Sequence, residues 1–217
     1  MGAFLASTIL SVVALRFIPV WFTPLMFIRC AQQVGEGREL RLSHNWVPLR
    51  DISTHMPTAV MGSEDAHFLD HHGFDFKAIQ SAAERNRKHP EKQKLGASTI
   101  SQQTAKNVFL WPGRSWLRKG FEVYFTTLIE LLWSKERIME VYLNSIETGE
   151  GIYGIEAISR ENWGLHASQL SREQCALIAA TLPNPRKFSS KHPSSYMLKR
   201  QQRILHEMKF VKKVKRE

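Results

Sequence analysis

The chain has 217 residues and a net charge of +10, and hydrophobic residues make up 43% of it. This length suits one domain of ordinary size with a short appendage, and the apolar content excludes global disorder, collagen and coiled coils. The positive charge favours an anionic partner, which could be nucleic acid, an acidic lipid surface or a phosphorylated substrate. Cys30 and Cys175 lie far apart and outside any C-x-x-C motif, which excludes a zinc knuckle and a disulfide framework.

The N-terminal segment, residues 1–28, has the apolar density of a membrane anchor. Its uncharged run, residues 2–15, would span about 21 Å of a hydrocarbon core that is roughly 30 Å thick. We therefore expect either that Arg16 reaches an interface or that the anchor begins upstream of Met1. Residues 17–28 are rich in aromatic side chains and are predicted to lie at the interface. A cleaved signal peptide is the alternative, but the basic start that it requires is missing.

Residues 29–217 are predicted to form a single, mostly helical domain. Asp75 is a candidate N-cap for a helix whose apolar face carries Phe76, Ile79 and Ala83. Residues 121–133 are apolar on nearly every side, which predicts a buried central helix.

Two further helix starts follow. Ser134 precedes a helix that carries Ile138, Val141 and Tyr142 on one stripe. A capping box at residues 171–174 precedes another helix, which Pro183 and Pro185 end. Because alternating strand patterns are scarce, the predicted body is α-helical, with the unusual polar residues gathered in its loops.

Residues 64–73 contain three acidic residues and three histidines, a density that a solvated surface does not need. On one helix, Glu64, His67 and His71 would share a face and resemble a metal site, although no second ligand cluster follows. A polar helix end, with the histidines capping carbonyl groups, is a second interpretation. The third makes Glu64, flanked by Phe68 and other apolar groups, a general acid or base.

Residues 96–107 contain small hydroxyl side chains, amide side chains and one lysine around a single large apolar residue, Ile100. A helix built only for core packing does not need that composition. Backbone N–H groups at this turn, together with Ser98, Thr99, Gln103 and Lys106, would suit hydrogen bonding to a sugar or a phosphate. The segment is not a Walker motif, since G-x-x-x-x-G-K-[ST] is absent.

Basic residues dominate the stretch from Glu84 to Lys119. A solvated surface would explain many of them. Arg118 and Lys119, however, lie one helical turn before Glu122, which would place cations for an oxyanion or a phosphate beside a carboxylate.

Five ordered blocks within residues 48–186 resemble the peptidoglycan glycosyltransferases of glycosyltransferase family 51. The blocks are E-D-x-x-F-x-x-H-x-G at 64–73, G-A-S-T-I-S-Q-Q-x-x-K-N at 96–107, R-K-x-x-E at 118–122, K-x-x-I-x-E-x-Y-L-N at 135–144 and G-I-Y-G-I-E-A at 151–157. The first block departs from the family only at Ala66 and His67, which leaves the catalytic positions intact.

This resemblance implies an all-α, lysozyme-like fold beside a membrane, and polymerisation of lipid II with inversion at the anomeric carbon. Glu64 would be the general base and Glu122 a second carboxylate near the donor pyrophosphate. The residues implied to contact the substrate or its pyrophosphate are Lys106, Arg114, Arg118, Lys119, Thr99, Gln103, Ser98, Phe68, His71 and Asn107.

The resemblance also implies a setting for the enzyme. Its partners would be lipid II, the growing glycan strand, the membrane and proteins of cell division or elongation, and nucleic acid would not be among them. A single-pass anchor in the cell inner membrane would hold the catalytic domain in the periplasm. The resemblance leaves open a Mg²⁺ or Mn²⁺ ion near Glu122. Transpeptidase activity is not expected, because no serine precedes a lysine in the S-x-x-K pattern.

Two other functions compete with this one. A lysozyme-type hydrolase would also place one glutamate in a helical cleft, but it gains nothing from a row of phosphate ligands. A membrane-tethered nucleic-acid or acidic-lipid binder would use the basic tail, residues 199–217, which carries no recognised nucleic-acid motif. We interpret that tail as a frayed basic helix end.

Overall fold

The computed structural model describes residues 2–91, 94–113 and 115–215. Within these ranges the chain forms α-helices joined by short loops and one small sheet. The helices are α1 (Gly2–Leu15), α2 (Pro24–Gly35), α3 (His55–Glu64), α4 (Phe76–Lys88), α5 (Ile100–Phe109), α6 (Trp116–Leu132), α7 (Lys135–Ser145), α8 (Ile155–Trp163), α9 (Arg172–Thr181) and α10 (Ser195–Glu207). The strands are β1 (Ser43–His44), β2 (Glu147–Gly149) and β3 (Ile152–Tyr153).

The small sheet is the part of the fold that the all-α prediction lacks. Its strand order is β1-β3-β2, with β1 parallel and β2 antiparallel to β3. Strands of two or three residues are too short to show an alternating pattern, so the sequence carries no signal for them. The prediction of a predominantly helical body is confirmed.

The core lies where α7 and α9 meet the remaining helices. Ile138 and Tyr142 of α7, and Ile178 of α9, are fully buried. α9 packs against both α3 and α10, which also contact each other, and α5 packs against both α6 and α7. This arrangement holds the C-terminal end of α3 and one side of α5 next to each other.

The C-terminal basic segment is an ordered part of this core up to the end of α10. Met197 and Ile204 of α10 are buried, and the Gln201 amide donates to the Glu173 carbonyl oxygen at 2.8 Å. The prediction of a frayed basic end is therefore wrong for α10, because apolar residues at helical spacing alternate with its cations. Arg216 and Glu217 lie outside the described residues.

The predicted helix starts are confirmed, but one predicted buried face is wrong. Asp75 accepts a hydrogen bond from the Ala78 amide, and Ser134 accepts one from the Arg137 amide. The capping box at residues 171–174 is also formed. On α4, however, Phe76 is 75% exposed, whereas Ala82 is buried. A short amphipathic helix at the surface does not reveal which of its apolar groups finds a partner.

α6 begins before the predicted central helix and is buried on only one side. Phe125 and Ile129 face the core, while Val123 and Leu131 remain exposed. The expectation of burial on all sides is therefore wrong. Part of the remaining apolar surface contacts α1, where Phe4 packs against aromatic rings of α6.

The N-terminal segment forms two helices separated by a turn, and polar contacts hold α1 against the body. Thr8 Oγ1 and the Tyr124 hydroxyl are 2.8 Å apart, and the Trp133 indole N–H donates to the Val12 carbonyl oxygen at 2.8 Å. Among the described helices, none has the length and apolar character needed to cross a bilayer. The anchor over residues 1–28 thus stays a prediction, and Met1 lies outside the described residues.

Candidate active site

The Glu64 carboxylate stands at the last residue of α3, where the helix opens into the following loop. Its Oε2 accepts a hydrogen bond from Gln103 Nε2 of α5 at 3.2 Å. Its Oε1 accepts one from Ser63 Oγ at 3.0 Å and lies 3.5 Å from Arg200 Nη2. The side chain is 16% exposed. A carboxylate that is held by donors yet open to solvent can accept a proton from a bound hydroxyl group.

The first two sequence blocks are joined behind this carboxylate. Thr99 is the N-cap of α5, accepting from the Gln102 amide and donating from Oγ1 to the Gly73 carbonyl oxygen at 2.7 Å. The Asp65 carboxylate contacts the imidazole of His71 at 3.0 Å. These contacts fix the first turn of α5, and with it the position of Gln103 opposite Glu64.

Lys106 lies one turn after Gln103 on the same helix. Both residues line a cleft of about 360 Å³, together with Asn107 and Arg118. Burial lowers the pKa of Lys106, and the positive charges of Arg118 and Lys119 lower it further, while Glu122 and Glu64 raise it. Lys106 therefore interacts electrostatically with both candidate catalytic carboxylates. A desolvated lysine in such a cleft is a strong ligand for a phosphate group.

Glu122 lies in the first turns of α6 and is only 3% exposed. Its Oε2 accepts from Arg118 Nη1 at 2.9 Å, and its Oε1 accepts from Lys119 Nζ at 2.5 Å. The predicted arrangement of two cations one turn before a carboxylate is thus present. Arg118 also lines the cleft, so Glu122 holds a cleft cation in place from behind.

These contacts bear on the divalent ion that the resemblance left open. Both oxygens of Glu122 face cations, and no group of three potential metal ligands occurs among the described residues. Such an ion commonly uses one or two carboxylates together with water and substrate phosphates, so the Mg²⁺ or Mn²⁺ ion near Glu122 stays a prediction. The interpretation of Glu64, His67 and His71 as a metal-binding face is wrong, because α3 ends at Glu64 and His71 turns towards Asp65.

The remaining predicted contact residues occupy different places. Phe68 is fully buried, with Lys135 Nζ 4.5 Å from its ring centroid. Together with Thr99 and His71, it supports the site from behind in this structure, so its predicted contact with the substrate stays a prediction. Ser98 is exposed beside the start of α5, and Arg114 lies outside the described residues.

Sequence reasoning missed two residues that contact the site. Arg200 of α10 donates to Ser63 Oγ at 2.9 Å and approaches Glu64, but its charge was indistinguishable from the other cations of the tail. The buried Tyr142 hydroxyl donates to Gln103 Oε1 at 3.4 Å, which turns the Gln103 amide N–H₂ towards Glu64. Burial and the nearby Glu64 and Asp65 charges raise the pKa of Tyr142 well above its usual value, so its hydroxyl remains a donor.

Comparison with known proteins identifies the family of this chain. Residues 32–209 match the family described as transglycosylase. A relative from Bacteroides thetaiotaomicron named biosynthetic peptidoglycan transglycosylase is 60% identical over 97% of this chain and 84% of its own length. A relative with the same name from Bdellovibrio bacteriovorus is 52% identical over 94% of this chain and 80% of its own length. Another, from Pseudomonas fluorescens, is 47% identical over 94% of this chain and 85% of its own length. The chain therefore belongs to the transglycosylase family and is a glycosyltransferase.

Proposed function

We propose that this enzyme polymerises lipid II into glycan strands and releases undecaprenyl diphosphate. One observation carries the proposal: α5 presents Gln103 to the Glu64 carboxylate and, one turn later, Lys106 to a cationic cleft. One helix thus contacts the proton acceptor and also supplies a cation for anion binding, and a reaction in which a sugar hydroxyl replaces a diphosphate needs both.

In the proposed reaction, Glu64 accepts the proton of the acceptor sugar's 4-hydroxyl group. The hydroxyl oxygen attacks C1 of the growing strand's terminal sugar from the face opposite the diphosphate. The new C1–O bond forms as the bond from C1 to the diphosphate oxygen breaks, so the anomeric configuration inverts. The bonding electrons leave with the diphosphate, and the proton stays on Glu64 until solvent removes it.

The cations of the cleft would assist the departure of the diphosphate. Lys106 and Arg118 would stabilise the negative charge that develops on the leaving diphosphate. Arg114 lies outside the described residues and is a further candidate ligand on the sequence resemblance alone. Glu122 would keep Arg118 and Lys119 oriented rather than touch the reacting sugar. Because a diphosphate leaves with little need for a proton, no strong general acid is required, in contrast to a glycosidase.

The setting inferred from the sequence belongs to this proposal. The substrate is an amphiphile, so the catalytic domain would work at the periplasmic face of the inner membrane, where proteins of division or elongation could reach it. The exposed aromatic side chains Trp21, Phe22 and Phe27 around the start of α2 support an interfacial position. The strand produced would be uncrosslinked, since no transpeptidase motif accompanies the cleft.

A Glu64→Gln variant tests the proposal directly. The substitution keeps the shape of the side chain and one acceptor oxygen, but it replaces the second oxygen with an N–H₂ group and removes the proton acceptor. We expect lipid II polymerisation to fall by about 10²–10⁴-fold while lipid II binding and the unfolding curve stay close to wild type. Glu84→Gln on the exposed face of α4 is the matched control and should polymerise normally.

Two results would contradict the proposal. Polymerisation of lipid II by Glu64→Gln at the wild-type rate would remove Glu64 as the base. Alternatively, the wild-type protein could release fragments from preformed sacculi and make no polymer from lipid II, which would identify a hydrolase.

A further inference from the structure

A second arginine faces the cleft that holds Lys106 and Arg118, and the reaction described above does not use it. Arg29 of α2 and Glu147 of β2 both line this cleft. Their closest atoms, Arg29 Nε and Glu147 Oε2, are 3.6 Å apart. The arginine side chain is 23% exposed and the glutamate side chain 9% exposed, so the pair lies at the cleft wall rather than on the outer surface.

The contact between the two is loose. A separation of 3.6 Å is too long for a hydrogen bond, whereas Arg118 and Glu122 approach to 2.9 Å. Arg29 Nη1 donates to Gln32 Oε1 at 2.9 Å, but its buried Nε has no hydrogen-bond partner in the part of the chain that the structure describes. A buried donor without an acceptor costs free energy, and an anion in the cleft would remove that cost.

The glutamate is suited to release the arginine. Burial raises the pKa of the Glu147 carboxyl group, and the nearby charges of Arg29 and Arg186 oppose this effect. An anion bound in the cleft would raise that pKa further, because like charges at short range disfavour ionisation. Glu147 would then take up a proton from solvent, and Arg29 would be free to pair with the anion.

The surroundings of Arg29 suit an amphiphile. Leu25, Leu110 and Trp111 line the same cleft, so an apolar wall lies beside the cations. α2 itself packs against α5, the helix that carries Lys106, and exposes Phe27 on its other side. A molecule with a charged head and an isoprenoid chain could therefore place its head among the arginines and its chain along this wall.

We propose that Arg29 is a further diphosphate ligand of this cleft, and that it exchanges Glu147 for a phosphate oxygen when the polyprenyl diphosphate binds. The proposal rests on the proposed function and assigns a substrate-binding role to α2, which would link an interfacial helix to the leaving group. Glu147 acts in it as a competitor for Arg29 rather than as a catalytic residue.

The exchange is tested by measuring the affinity of the full chain for geranylgeranyl diphosphate, using calorimetry in detergent. Arg29→Ala should weaken binding by about ten- to a hundredfold, as expected for the loss of one charge-assisted contact. Glu147→Gln should strengthen binding severalfold, because it frees the arginine. The double variant should bind as weakly as Arg29→Ala alone. Arg38→Ala, which removes a half-buried arginine that is paired with Glu36 and Glu150 and lies outside this cleft, is the control and should bind as wild type does.

The opposite signs of the two single variants separate this exchange from a purely structural ion pair. A structural pair would make Arg29→Ala and Glu147→Gln lower the melting temperature alike and leave diphosphate affinity equal in both, which would overturn the proposal. Should Arg29→Ala fold poorly, Glu147→Gln still decides, because it keeps Arg29 at the cleft wall. Tighter diphosphate binding by Glu147→Gln supports the exchange, and unchanged or weaker binding overturns it.

Lys106→Ala distinguishes this proposal from the function on which it rests. If Lys106→Ala loses diphosphate affinity and Arg29→Ala does not, the role of Arg29 is rejected while the proposed function stands. If the wild-type protein shows no affinity for the polyprenyl diphosphate, both are rejected.

Discussion

The Asp65 carboxylate accepts a hydrogen bond from the backbone amide of Ile100, with 2.9 Å between Oδ2 and N. Asp65 directly follows the candidate base Glu64, and Ile100 is the first residue of α5. One side chain thereby fixes the end of α3 relative to the start of the helix that carries Gln103 and Lys106. In the acidic pair of the first block, Glu64 is thus the candidate base, whereas Asp65 positions the two helices.

Replacing Asp65 should therefore disturb both stability and turnover. Asp65→Ala leaves the buried Ile100 amide and the His71 imidazole without their acceptor, which costs about 1–3 kcal/mol of unfolding free energy. Turnover should fall further than stability explains, because Glu64 and Gln103 lose their register. Chemical denaturation and lipid II polymerisation measure the two effects. Asp70→Ala, whose carboxylate contacts exposed Lys212, should change neither; equal effects in both variants would contradict the positioning role.

Lys106→Met should make the protein more stable and less active. The lowered pKa of Lys106 means that its charge is costly in the folded state, and methionine fills similar space without that cost. We expect a gain within roughly 0.5–2 kcal/mol, the range of single stabilising substitutions. Turnover should fall about 10²–10³-fold through lost stabilisation of the leaving group.

The sign of the pH dependence follows from the same shift. Below the lowered folded-state pKa, Lys106 is charged in both states and the penalty is fully present. As pH rises from there towards the usual value of 10.5, the unfolded chain binds more protons than the folded one, so wild-type stability rises relative to Lys106→Met. Denaturation of both proteins across this pH range checks the prediction, and a gap that widens with pH would contradict it.

Much of the fold and part of the site were readable in the sequence, and the exceptions have physical reasons. Caps such as Ser134 and Asp75 act on the next turn of chain, so local sequence reveals them. The pairing of Arg118 with Glu122 is likewise set by helical spacing. Arg200 reaches Glu64 across a separation of 136 residues, and only the packing of α10 against α3 brings them together. No local pattern encodes such a contact.

Arg200 should support the base without touching the reacting bond. Its guanidinium contacts Ser63 and Glu64 and restricts the carboxylate to the side of Gln103. We expect Arg200→Ala to lower kcat by about tenfold with little change in KM, and Arg200→Lys to restore part of the loss, because misplacing a catalytic group slows turnover. Arg203→Ala, one turn later on α10 and exposed, is the matched control. Steady-state kinetics on lipid II decide, and a loss confined to KM would instead make Arg200 a substrate ligand.

Gly154, before the first turn of α8, should tolerate no side chain. Its φ of +81° is unfavourable for other residues, and a Cβ there would lie 2.7 Å from the Asn144 carbonyl oxygen. Asn144 in turn uses its side chain to bind the Val47 amide and carbonyl groups, so it has little freedom to move away. Gly164 provides a comparison, because its φ is +66° and an added Cβ would meet nothing within 4 Å. Gly164→Ala should therefore cost only the backbone strain of about 1–2 kcal/mol, and Gly154→Ala clearly more. Equal unfolding free energies for the two variants would show that the last turn of α7 at Asn144 moves away, and that the close approach does not restrict this turn.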